Sequence, residues 1–216
     1  MKTLRIPSDH AFSTLISEDL AALGREKAGQ LLIALPGGRS AGVVVKALLA
    51  VPDLLGRITL FLMDERLEGE TNLDTLLAAG LTEALDRSLM SREQIRIPVP
   101  GRRLSSRPFD RVYLGVGEDG HFASLFPGTF TTEESEQVIR ISDSPKPPKT
   151  RATLSYHGFE TLAAGRPVYL LFFGEAKRDA LERMLHSSEG PLTLPCAFFK
   201  ELDFALTVVT DLEERA

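Results

Sequence analysis

Four short, mostly apolar runs, at residues 31–35, 58–63, 111–116 and 168–173, each stop abruptly at glycine, proline or a cluster of charges. At five or six residues they are too short for ordinary helices and read as strands buried on both faces. Helical spacing follows three of them, over 41–49, 72–85 and 175–185. It also precedes the first, over 11–29, where Phe12, Leu15, Ile16, Leu20 and Leu23 share a face and Gly29 offers a stop. Further strands are expected at 151–155 and 204–209. This alternation predicts an α/β fold, an open, mostly parallel twisted sheet with helices on both faces. Apolar residues make up 43% of the chain, enough to cover such a sheet on both sides. No fixed-period repeat is visible, and the Pro-rich stretch at 144–149 reads as a loop rather than a linker. The expectation is a single domain over residues 1–216.

In open α/β sheets, ligands bind beyond the carboxyl ends of the strands, and here four strand ends carry chemistry. At Gly37-Gly38-Arg39-Ser40 the glycines let the backbone approach an anion, and the free N–H groups of the next helix favour negative charge. The plainer alternative is a tight turn in which Ser40 caps that helix. The loop lacks the Gly-Lys-Ser/Thr ending of a nucleotide P-loop. Asp64-Glu65-Arg66 is either a solvated strand end or the source of an arginine suited to phosphate or carboxylate.

His121 follows Gly115-Val116-Gly117-Glu118-Asp119-Gly120, whose three glycines suggest backbone geometry that a plain loop would not need. Asp119, two residues earlier, is placed to hold the imidazole in one tautomer as a general base. A surface-loop histidine is the alternative. His10, His157 and His186 lack such a setting. The spacing Gly115-x-Gly117-x-x-Gly120 also fits a dinucleotide fingerprint, without the acidic residue that should end a second strand about 20 positions on. The last end is Gly174-Glu175-Ala176-Lys177. Judged singly, Lys177 and Arg151 read as solvated charges. Cys196, in an apolar setting, reads as an inert thiol.

Composition narrows the partners. A net charge of −5 argues against nucleic acid, which is bound through a basic surface. One cysteine allows no intrachain disulfide and no cysteine metal cluster. No apolar run exceeds six residues, against the roughly 20 that a membrane span needs. The N-terminal residues have no secretory apolar region, so a cytoplasmic location with no membrane partner is expected.

Taken in order, these blocks resemble the glucosamine-6-phosphate isomerase/6-phosphogluconolactonase family over residues 10–210. The core of the resemblance is 109–128, a strand followed by Gly115-Val116-Gly117-Glu118-Asp119-Gly120-His121-Phe122-Ala123-Ser124-Leu125-Phe126-Pro127-Gly128. The Gly37-Gly38 loop, Asp64-Glu65-Arg66 with Asn72, Ser144-Pro145-Lys146-Pro147-Pro148 leading to Arg151, and Gly174-Glu175-Ala176-Lys177 support it. The resemblance implies a Rossmann-like fold of deaminase/lactonase type. It also implies hydrolysis of 6-phospho-D-glucono-1,5-lactone to 6-phosphogluconate, the second step of the oxidative pentose phosphate pathway. A phosphorylated sugar lactone is then the partner, no cofactor or metal is expected, and the protein is a monomer or homodimer.

Carried over by motif, His121 is the general base, Asp119 orients it, and Arg66 is an active-site cation. Gly37, Gly38, Ser40, Arg151 and Lys177 are implied at the substrate phosphate, with Asp64 and Arg39 as further site candidates. The family's deaminases carry a glutamate immediately before Pro-Gly, where this chain has Phe126. The chain departs from the family's pattern at Pro36 and Arg39, where hydroxyl residues are usual. Its segment 67–71 is short, and an arginine usual after Asn72 is absent. The alternatives are a sugar-phosphate isomerase or deaminase, and a non-catalytic sugar-phosphate sensor. Such sensors carry a DNA-binding helix-turn-helix, for which the 30 residues before the first expected strand leave too little room.

Overall fold

A computed structural model describes residues 1–201 and 203–213, the side chain of Arg39 excepted. In chain order the elements are β1 Lys2–Arg5, α1 Asp9–Glu26, β2 Leu31–Leu35, α2 Ala41–Leu49, α3 Pro52–Leu55, β3 Ile58–Leu62, β4 Asp64–Arg66, α4 Asn72–Leu76 and α5 Thr82–Asp86. There follow β5 Ile95–Arg96, β6 Arg111–Gly115, β7 Val138–Ile141, β8 Arg151–Leu154, α6 Tyr156–Ala163, β9 Pro167–Phe172, α7 Arg178–His186, α8 Phe198–Glu201 and β10 Ala205–Thr210.

Seven strands form one sheet in the order β1-β10-β9-β6-β2-β3-β5, and every pairing in it is parallel. Such a sheet must be covered on both faces, which is why β2 and β3 are buried at every position. Strand alternation divides the core. Leu31, Ile33 and Leu35 share one apolar cluster with Phe12, Ile16 and Leu20 of α1. Leu32 and Ala34 belong to another with Phe122, Phe159 and Phe199. Each such side chain contributes about 1.5–3 kcal/mol on burial. Helix α1 starts where Ser8 accepts a hydrogen bond from the Ala11 amide, a side-chain N-cap.

The strand order fixes where a ligand can enter. From β2 the chain builds outward to β3 and β5, then returns to the other side of β2 with β6, β9 and β10. The loops after β2 and β6 therefore diverge, and the crevice between them is the topological switch point of the sheet.

Four features depart from the sequence reading. The first strand is Lys2–Arg5, not 31–35; it lies on the sheet edge beside β10 and carries only a weak apolar signal. The helix expected over 72–85 is broken by a wider turn at Leu77–Leu81, where Gly80 takes φ 128°, a value open mainly to glycine. The helix expected from residue 175 begins with a 3-10 turn at Glu175–Lys177. Finally, Asp64–Arg66 is no frayed end of β3. It pairs antiparallel with β8 in a second sheet, β4-β8-β7. Among the described residues no helix is long and apolar enough to cross a membrane.

Candidate active site

His121 stands at the switch point, on the loop after β6. Its Nδ1 is hydrogen-bonded to the Asp119 carboxylate, whose same oxygen accepts from the His121 amide at 3.3 Å. The loop closes on itself through Gly117 N–H to the His121 carbonyl (2.7 Å) and Gly120 N–H to the Gly117 carbonyl (3.1 Å). The glycines are needed for contact as much as for conformation. A Cβ on Gly117 would lie 1.9 Å from two imidazole ring atoms, and one on Gly120, at φ +83°, 2.4 Å from Leu194. Phe126 also packs against the imidazole, ring centroids 4.8 Å apart. Burial works to raise the Asp119 carboxyl, but the hydrogen bond and charge of His121, with Lys146 nearby, hold it well below the usual carboxylate range.

Two adjoining cavities share His121, Gly37, Gly38, Gly115 and Lys146. The larger, about 470 Å³, adds Ser40 and Lys177. Ser40 makes no capping hydrogen bond to α2, which answers the question the sequence left open: its hydroxyl lines the crevice. Gly115 sits where a Cβ would come within 3.2 Å of that hydroxyl oxygen. The side chain of Arg39 lies outside the described residues.

The smaller cavity, about 230 Å³, adds Asp64, Arg66, Asn72 and Arg151. Register places Arg66 directly opposite Arg151 across β4 and β8, a like-charge pairing that disfavours a sheet on its own. Among the described residues, the Arg66 guanidinium donates to the Glu70 carbonyl (3.2 Å), and its buried Nε has no partner. Burial pushes Arg151 below the usual guanidinium range; Asp64 offsets this and Arg66 adds to it. Beneath the two arginines, Asp64 accepts from Ser124 Oγ (2.6 Å) and Asn72 Nδ2 (3.0 Å). Burial holds its carboxyl above the ordinary range, against the pull of that Ser124 bond and of Arg151, His121 and Arg66.

The structure thus brings every described candidate except Asp119 to the lining of one crevice, Asp119 reaching it through His121, but divides the set implied at the phosphate. Gly37, Gly38, Ser40 and Lys177 line the larger cavity, whereas Arg151 lies with Arg66 in the smaller. Arg151 also donates to the carbonyls of Lys146, Pro147 and Pro148 (3.0–3.2 Å), so it fixes the loop that carries Lys146 over His121. Lys146 was missed by sequence reasoning, its signal being only a cation before Pro-Pro. Glu65 was missed too. It accepts from the amides of Arg66, Asn72 and Leu73 (2.6–3.0 Å) and ties β4 to the start of α4. Cys196 is buried, its thiol pushed up to about 12, as an inert thiol should be. Among the described residues no group of three or more His, Cys, Asp or Glu could hold a metal ion.

Comparison with known proteins gives this geometry a family. The model for glucosamine-6-phosphate isomerases/6-phosphogluconolactonase matches residues 77–208. The 6-phosphogluconolactonase of Homo sapiens is 30% identical over 203 residues, covering 83% of this chain and 78% of that protein. The chain belongs to the glucosamine-6-phosphate isomerase/6-phosphogluconolactonase family. The fold of this family is evident in solved structures of both its enzyme types. A 6-phosphogluconolactonase from Thermotoga maritima superposes with TM-score 0.75 at 22% identity, covering 96% of each chain. A monomeric glucosamine-6-phosphate deaminase superposes with the same score at 14% identity, covering 97% of each. Equal likeness to both means that fold does not choose between the two chemistries, so the choice rests on the site.

Proposed function

We propose that this chain hydrolyses 6-phospho-D-glucono-1,5-lactone to 6-phosphogluconate, the second step of the oxidative pentose phosphate pathway. The observation that carries this reading within the family is Phe126. It occupies the position before Pro127-Gly128 where the family's deaminases carry a glutamate, and it sets an apolar ring against His121. The proton relay for ring opening and loss of an amine has no carboxylate there, while a lactone needs none.

The residues fit ester hydrolysis. With Nδ1–H donating to Asp119, Nε2 is the basic nitrogen. It takes a proton from water as the oxygen attacks C1 of the lactone. The carbonyl oxygen becomes an oxyanion beside Arg66, which lines the smaller cavity and supplies positive charge to it. On collapse the C1–ring oxygen bond breaks, and the imidazolium returns its proton to that oxygen, giving the carboxylic acid and a free hydroxyl. The phosphate lies in the larger cavity on the Gly37–Ser40 backbone, Ser40 and Lys177, and so holds C1 beside His121. Arg151 acts by fixing the Lys146 loop and adding positive charge. Asp64 supports the arginines from below.

The test is turnover of two substrates by the wild-type protein: freshly made 6-phosphogluconolactone, corrected for spontaneous opening, and glucosamine 6-phosphate. Accelerated lactone opening without ammonia release is expected. Ammonia release without lactone opening would make it a deaminase, and binding with neither would make it a sensor.

A further inference from the structure

A second concentration of positive charge lies at the opposite end of the sheet. Residues 95–109 hold four arginines, Arg96, Arg102, Arg103 and Arg107, and no Asp or Glu, in a chain of net charge −5. All four line one cavity of about 410 Å³. Its floor includes Gln30 and Thr59, at the amino ends of β2 and β3, so it lies about 17 Å along the strand from the catalytic crevice. Among the described residues, none of the four guanidinium groups donates a hydrogen bond or enters a close ion pair, and only Arg96 acts on a nearby carboxylate, its charge helping to hold the Glu93 carboxyl below the ordinary range. Glu93, the acidic neighbour of Arg96, is itself exposed.

Two further facts make this more than a solvated basic loop. Its backbone is pinned: Gly101 N–H donates to the Val138 carbonyl (3.0 Å), Leu104 N–H to Gln137 Oε1 (3.0 Å) and Phe109 N–H to the Leu162 carbonyl (2.8 Å). The arginines are thus presented from a fixed frame, which lowers the ordering cost of binding. The same cavity is also lined by Ile97 and Val99, 42% and 45% exposed, two of the five large apolar residues most exposed among those described. Guanidinium forks suit phosphate oxygens, and exposed aliphatic side chains beside them suit a flat apolar ring. We infer that this cavity binds a nucleoside polyphosphate, its phosphates on the arginines and its base against Ile97 and Val99.

Calorimetric titration of the full chain at physiological salt, with ATP and inorganic tripolyphosphate as probes, tests this. Arg102→Ala/Arg103→Ala should weaken ATP about 10-fold or more while leaving lactone hydrolysis and the far-ultraviolet spectrum unchanged. Lys177→Ala, in the catalytic crevice, should leave ATP binding intact, and tripolyphosphate should bind more weakly than ATP. Unchanged ATP affinity in the double variant would overturn the site. Loss of ATP binding in Lys177→Ala would move the ligand to the catalytic crevice. Equal affinity for tripolyphosphate would remove the nucleoside, and tighter arginine-dependent binding of a single-stranded oligonucleotide would replace the small molecule with nucleic acid. ATP binding is read directly, so the outcome does not depend on the lactonase reading.

Discussion

At the scale of single residues, the position of the imidazole depends on how tightly the His121 loop is wrapped. Gly117 touches the imidazole so closely that any Cβ would displace the ring. Gly117→Ala is therefore expected to lose kcat about 100-fold or more and, because the forced shift costs about 1–3 kcal/mol, to show a lower denaturation midpoint with an unchanged far-ultraviolet spectrum. Asp119→Asn keeps the size of the orienting group and removes its charge; kcat should fall at least about 100-fold with little change in KM. The same substitution has a pH consequence. Because the folded protein holds Asp119 below its ordinary value of 3.8, the stability it contributes is fully present above that value and is lost as pH falls through the lower one. Wild-type stability should therefore fall more steeply than that of Asp119→Asn below pH 3.8, as denaturant titrations at stepped pH would reveal. His121 and Asp119 were legible in the sequence because their spacing puts both on one short glycine turn. Lys146 was not, since it meets His121 only through the fold; nor was Glu65, since its acceptor role depends on how the loop from β4 to α4 turns back on it.

At the scale of elements, the short strand β4 does most to build the smaller cavity. It sets Arg66 against Arg151 and passes into a loop that Glu65 binds to the start of α4. Glu65→Ala would leave three amides without their acceptor, at a cost of about 2 kcal/mol or more. It should also raise KM as the Arg66 segment loosens; urea denaturation and steady-state kinetics measure the two effects separately. The sequence placed β2 and α2 to the residue, because strands buried on both faces and the helices over them leave strong apolar patterns. It missed β4 as a strand, since three charged residues show no strand periodicity. The break at Gly80 escaped for a related reason: an isolated glycine inside a helical pattern is often tolerated.

At the scale of the whole molecule, a chain of net charge −5 gathers Arg66, Lys146, Arg151 and Lys177 at one crevice. Overall charge describes the surface as a whole and says nothing of where the cations meet. That followed from the strand order, which brings the loops after β2 and β6 together. If the phosphate lies on the Lys177 side, Lys177→Ala should raise KM about 10-fold or more while largely sparing kcat. The most direct test of the central claim is the rate of 6-phosphogluconolactone hydrolysis by His121→Ala against wild type, with spontaneous opening subtracted. The imidazole as general base predicts a loss of at least about 100-fold in kcat by a protein that still folds; equal rates for the two would contradict it.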